Sequence, residues 1–142
     1  MYHLIEESIL SFIPPRYPFV MVEKLLYADE QKAATNFTIQ ADNIFVENGQ
    51  FAAAGLLENI AQTVAAGAGY KERMEGKAIS GGYIASVRNF EVFFLPEIND
   101  VLTTEVQVTG RLFTVTAITG KVFLNDIPVA QCEMKIFANS VD

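Results

Sequence analysis

The chain has 142 residues, enough for one domain with a sizeable core. A hydrophobic fraction of 51% and a charged fraction of 19% exclude a disordered polymer, and a formal net charge of −7 excludes free nucleic acid as a partner. The single cysteine, Cys132, excludes an internal disulfide framework.

Residues Glu6 to Phe12, with Ile5, Ile9 and Phe12 at helical spacing, predict a short helix, stopped by Pro14-Pro15. Arg16-Tyr17-Pro18 is then a constrained, extended lead-in. Phe19 to Tyr27 is β-branched and aromatic and predicts a strand. After a polar turn at Asp29-Glu30-Gln31, Ala33 to Gln40 alternates, with Ala33, Thr35, Phe37 and Ile39 on one face. The two runs form a hairpin. Ala41 to Gln50 reads as a loop.

Phe51 to Tyr70 is rich in alanine and predicts one long helix, frayed over Lys71 to Glu75 and stopped by Gly76. It is apolar or small on nearly every face, which predicts burial all round. Glu58 is the exception, with Gln62 one turn later on the same face. An unpaired carboxylate inside such a helix is costly and needs an explanation.

The remainder is strand-like: Gly82 to Leu95, then Val101 to Gly110, Arg111 to Leu124 and Pro128 to Ala138, with Asn125-Asp126 as a hairpin turn. Asn139 to Asp142 is a polar tail. Phe90, Phe93, Phe94, Phe113 and Phe123 are expected in the core, with a tunnel at a subunit interface as the other reading for some of them. Cys132, in an alternating strand, is expected there as a small residue, not as a nucleophile.

Strands on either side of one long helix give an α+β class, with a curved antiparallel sheet wrapped round that helix. Ala61, Ala65, Ala66 and Ala68 let the sheet approach closely. Such a sheet leaves an edge strand, so a dimer is expected. Residues 1–142 read as a single domain. No basic-then-apolar leader and no membrane-length apolar run is seen, which makes cytoplasmic the default. No metal and no cofactor is expected.

Two segments resemble the hotdog superfamily, specifically the β-hydroxyacyl-carrier dehydratases of the FabA/FabZ type. Ile13-Pro-Pro-Arg-Tyr-Pro-Phe19 is similar to the opening motif Leu-Pro-His-Arg-Tyr-Pro-Phe. Leu57-Glu-Asn-Ile-Ala-Gln62 is similar to the central-helix motif, an acid followed three residues on by Ala-Gln. Gly82-Tyr83-Ile-Ala-Ser86 resembles a substrate-lining strand.

That family's dehydration uses an acid and a His from two protomers. The acid maps onto Glu58. The His, from a Gly-His-Phe-Pro loop, maps onto Ile44 or Phe45. The only His of the chain is His3, an improbable base at the terminus. The chain therefore resembles a divergent, ApeP-like branch without the loop His, of a kind associated with fatty-acid or polyketide and aryl-polyene-type assembly.

Glu58 reads either as a structural carboxylate bonded by Gln62 or as a catalytic acid or base. Gly55, in the first helical turn, reads either as a packing residue or as an amide that polarises a thioester carbonyl. Asn48 and Glu47 are the polar groups nearest the lost His. Gly82 and Tyr83, with Gln62, Ile44, Phe45 and Asn48, complete the candidate substrate site. Arg16 and Tyr17 are expected to brace the lead-in. Lys71, Arg73, Lys77, Arg88 and Arg111 form a basic patch only if the fold gathers them.

The resemblance implies a protein acting on or binding acyl thioesters, with an acyl carrier protein or coenzyme A thioester as partner, in a homodimer or heterodimer. A hotdog thioesterase and a non-catalytic acyl-binding partner of an active dehydratase are the alternatives. Whether this chain is itself an enzyme stays open at this point.

Overall fold

The computed structural model describes residues 5–138. Strands β1 (Lys24–Ala28), β2 (Lys32–Thr38), β3 (Val46–Glu47) and β4 (Gln50–Phe51) precede helix α1 (Ala53–Met74). Strands β5 (Gly82–Val92), β6 (Val101–Leu112), β7 (Val115–Leu124) and β8 (Ile127–Ala138) follow it. Six strands form one antiparallel sheet in the order β1-β2-β6-β7-β8-β5, and β3 pairs only with β4. Helix α1 contacts every strand of the large sheet, as expected for a sheet curved round one helix.

The long helix is placed as the sequence predicts. Gly76, at φ +75°, takes the left-handed position after the helix end. Gly76 N–H bonds Arg73 O at 3.0 Å and Lys77 N–H bonds Glu72 O at 2.8 Å, which closes the last turn. Ala52, at the other end, offers no side-chain cap.

Four boundaries differ from the sequence reading. The opening helix shrinks to one 3₁₀ turn, Ile9–Ser11, capped by Ser8 Oγ. The first strand starts at Lys24, not Phe19, because helix side chains take the backbone of Met21. Met21 N–H donates to Gln62 Oε1 at 2.7 Å, and Met21 O accepts from Asn59 Nδ2 at 2.7 Å. Inside the expected loop, Asn48-Gly49 turns the small β3–β4 hairpin with φ of 52° and 77°, the left-handed pair that Asn-Gly favours. Arg111 and Leu112 close β6 and do not open the next strand, so Phe113-Thr114 is the turn.

The helix is not buried all round. Leu56, Asn59, Ile60, Gln62, Thr63 and Ala66 are buried, whereas Glu58, Ala61 and Ala65 are half-buried and Ala68 is exposed. Three polar residues therefore lie on the buried side. Thr63 Oγ1 bonds Asn59 O at 2.8 Å and meets Thr35 Oγ1 of β2 at 2.7 Å. Thr104 of β6 donates to Asn59 Oδ1. Thr35 and Thr104 are register partners, so one polar seam crosses the core with no unsatisfied buried side-chain atom among the described residues.

The aromatic expectation is corrected in part. Phe93, Phe94 and Phe113 are exposed, the last to 97%, while Phe90 and Phe123 are half-buried. Phe93 and Phe94 leave the end of an edge strand, and Phe113 sits at a hairpin tip. Phe12, Phe37 and Phe51 fill the core instead.

Gly120 of β7 faces the helix, where an added Cβ would meet Ile60 Cγ2 at 2.5 Å. Gly120→Ala is expected to cost about 1–3 kcal/mol, because the Ile60 Cγ2 branch methyl, held by χ1 on the helix, must give way. A lowered urea midpoint with an unchanged slope checks this.

Candidate functional site

The open side of α1 and the concave face of the sheet enclose a groove of about 770 Å³, within the usual size range of ligand sites. Glu58, Ala61, Ala65 and Ala68 form the helix wall, and Ile84, Ile118 and Ile136 line the sheet side. Pro14 and Pro15 also line it.

Glu58 Oε1 accepts from Gln62 Nε2 at 3.0 Å. The same nitrogen donates to Phe19 O at 2.8 Å, while Gln62 Oε1 accepts from Met21 N–H. Gln62 is buried and thus fixed on both sides, and Glu58 is half-buried and open to the groove. The helix anchor and the groove acid are one hydrogen-bonded unit. The burial that made Glu58 conspicuous in the sequence belongs to its neighbours Asn59 and Gln62.

Of the candidate residues, Glu58, Gln62, Gly82 and Tyr83 line this groove; Gly55, Asn48, Ile44 and Phe45 do not. Gly55 N–H is bonded to Ala52 O at 2.9 Å, and an added Cβ would meet the Phe51 ring at 2.5 Å and Phe45 Cβ at 2.9 Å. Packing alone demands a glycine there. Asn48 and Glu47 are exposed on the β3–β4 hairpin, and Asn48 serves its turn. Ile44 is 46% exposed. Phe45 is half-buried, edge-on to Phe51. Tyr83 lies over Phe137 with rings 5.7 Å apart and nearly parallel. Arg16 braces the lead-in through the carbonyls of Ile13, Pro14 and Pro15, while Tyr17 is exposed. His3 lies outside the described residues.

The sequence reading missed the far end of the groove. Lys71 Nζ bonds Glu30 Oε2 at 2.8 Å, and Arg111 donates to Glu30 O at 3.0 Å. That ammonium holds the Glu30 carboxyl below the usual carboxylate range. Ser80 gives both its N–H and its hydroxyl to the Glu72 carboxylate. Of the five cations weighed as a patch, only Lys71 and Arg111 reach the groove; Arg73 and Lys77 line a small separate hollow, and Arg88 is on β5. No signal in the sequence brings residues 30, 71 and 111 together, since three different elements supply them. Cys132 is buried, and that burial, aided by Glu133, pushes its thiol up to about 11, so it is no nucleophile at neutral pH. Among the described residues no cluster of His, Cys, Asp and Glu could hold a metal, and no helix is long and apolar enough to cross a membrane.

The profile of the ApeP-like family, described as ApeP dehydratase, matches residues 7–142. The chain belongs to the ApeP-like family. Among solved structures it is similar to the dehydratase heterocomplex ApeI:P from Xenorhabdus doucetiae, with a TM-score of 0.90 at 13% identity over 96% of this chain and 93% of that one. It also resembles the PaaI protein of the Escherichia coli phenylacetic acid degradation operon (TM-score 0.64, 15% identity, 80% and 81% covered). A third likeness is a hypothetical thioesterase from Streptococcus pneumoniae TIGR4 solved with coenzyme A (TM-score 0.66, 9% identity, 82% and 85% covered). No curated protein sequence matches the chain. The helix and the sheet wrapped round it are therefore a hotdog fold. Among its described residues this ApeP-like chain has no His.

Proposed function

We propose that this chain is the acid-bearing half of a dehydratase-type site for 3-hydroxyacyl thioesters, completed by a partner subunit that brings the His. The observation that carries this is Glu58, held by Gln62 at the end of an apolar groove, with no His among the described residues.

Dehydration needs a base to remove the proton from C2 and an acid to protonate the departing C3 hydroxyl. The C2–H pair becomes the C2=C3 bond, the C3–O bond breaks, and water leaves. Glu58 supplies one of the two proton transfers. No His among the described residues supplies the second. Strand β5 supports a second subunit. It is 11 residues long, lies at an edge of the sheet, and exposes residues along its length. A neighbouring chain pairing there would stand beside the open groove. The solved relative named as a dehydratase heterocomplex supports a different chain as that partner. The substrate would arrive on an acyl carrier protein or coenzyme A, in fatty-acid or polyketide-type assembly inside the cell.

The thioesterase alternative draws less support. It relied on Gly55 to polarise the carbonyl, and that amide is already bonded to Ala52 O.

The test is reconstitution. The chain alone is expected to dehydrate a 3-hydroxyacyl carrier substrate at no more than background rate. Mixing with a His-bearing hotdog dehydratase subunit that co-purifies with it is expected to give turnover. Full activity of the isolated chain, or thiol release in place of water loss, would overturn the proposal.

A further inference from the structure

The groove changes character along the helix. Between Glu58 and Ala68 its helix wall is small and apolar apart from Gln62, and Ile84, Ile118, Ile136, Val106 and Val108 line it from the sheet. One turn later every lining side chain on the helix is charged: Lys71, Glu72 and Glu75. Across from them stand Asp29, Glu30 and Arg111. The Glu30–Lys71 pair ties the β1–β2 turn to the helix across this end, and Arg111 fastens Glu30 by its carbonyl.

We infer that the Glu30–Lys71 pair ends the apolar groove and sets the length of acyl chain it holds. This rests on the reading that the groove takes an acyl thioester with its reacting carbons at Glu58. A methylene against the apolar wall leaves water and gains affinity. One that lies against the ion pair strips water from charged groups without replacing their hydrogen bonds, and gains nothing. Ten helical residues separate Glu58 from Ala68, a rise of about 15 Å. An extended chain advances roughly 1.2 Å per bond, by the dimensions of an extended backbone. The apolar stretch therefore holds about twelve carbons beyond the reacting one. The same geometry assigns Ala65 as the wall residue at about 10 Å of depth.

The experiment is calorimetric titration of the purified full chain with saturated acyl-pantetheine thioesters of increasing length. Affinity is expected to rise by up to about fourfold per methylene and then level off near twelve carbons past the reacting one. In the double variant Glu30→Leu/Lys71→Met the apolar wall extends from Ala68 to position 71, about 4.5 Å, where Glu72 begins the remaining charged end, and the plateau is expected to move out by about three to four carbons. Both side chains are well exposed, at 69% and 43%, so the variant is expected to fold, which circular dichroism checks. Ala65→Phe is expected to bring the plateau inward to about eight carbons. Binding with the same plateau in all three proteins, or with none, would overturn the length gauge and leave the acyl-thioester reading standing. No binding at any length would remove that reading, and the gauge with it.

Discussion

Glu58→Gln is expected to lower the turnover of the proposed dehydratase complex by about 10²–10⁴-fold, the usual worth of one positioned general acid or base. The substitution keeps size and shape. Gln62 Nε2 can donate to an amide oxygen as it does to the carboxylate at 3.0 Å, so the anchor to Phe19 and Met21 stays in place. What disappears is the ability to exchange a proton. Glu58 is half-buried and packs against open groove, so stability is expected to stay within about 0.5 kcal/mol of the parent. KM is expected to change little and kcat to carry the loss, because the removed interaction matters only as protons move. A variant that retains full kcat in the assembled complex would show Glu58 to be a structural carboxylate, the other reading its position allows. Glu58→Asp separates reach from charge: it keeps the acid but withdraws it by one methylene, and intermediate loss is expected.

The fold was legible because its strongest signals are local. Ala33, Thr35, Phe37 and Ile39 alternate, and all four face the core. The alanine-rich run from residue 51 to 70 could be little else than a helix, and Gly76 stops it where a left-handed residue is needed. Failures came where tertiary bonds overrode local preference. Phe19 to Glu23 has strand composition, yet Gln62 and Asn59 occupy the backbone of Met21, and the ladder starts only at Lys24. Asn48-Gly49 was a hairpin signal in plain view, but the flanking strands are two residues each, too short for alternation to show.

The lining of the candidate groove was half legible for a related reason. Glu58 and Gln62 share one helix face, so sequence spacing alone pairs them. The Glu30–Lys71–Arg111 end of the groove draws on a turn, a helix and a strand. No periodicity links such residues. The helix itself was misjudged as apolar all round. Its polar residues Asn59, Gln62 and Thr63 look isolated in the sequence, but together they form the seam that fixes the helix to the opening segment and to β2 and β6.

That seam is where the largest loss of stability is expected. Asn59 is fully buried, and its amide makes two bonds: Nδ2 to Met21 O at 2.7 Å, and Oδ1 from the Thr104 hydroxyl. Asn59→Ala deletes both and strands a carbonyl and a hydroxyl in a dry interior, each at about 1–3 kcal/mol. A loss of about 3–4 kcal/mol is expected, lowering the thermal midpoint by roughly 10 °C for a chain of this size. Thr104→Val is expected to cost less, about 1–2 kcal/mol, because it leaves one acceptor unpaired in place of two groups. The double variant should cost clearly less than the sum, since Asn59→Ala has already removed the partner of Thr104. Strict additivity would show that the two side chains do not act as a pair. The functional consequence runs through the same atoms. Met21 is held from both sides, by Asn59 at its carbonyl and by Gln62 at its amide, and Gln62 also holds Glu58. Loosening Asn59 therefore frees the segment that keeps Gln62 in place. In the assembled dehydratase, at a temperature where the variant is fully folded, kcat is expected to fall by less than in Glu58→Gln.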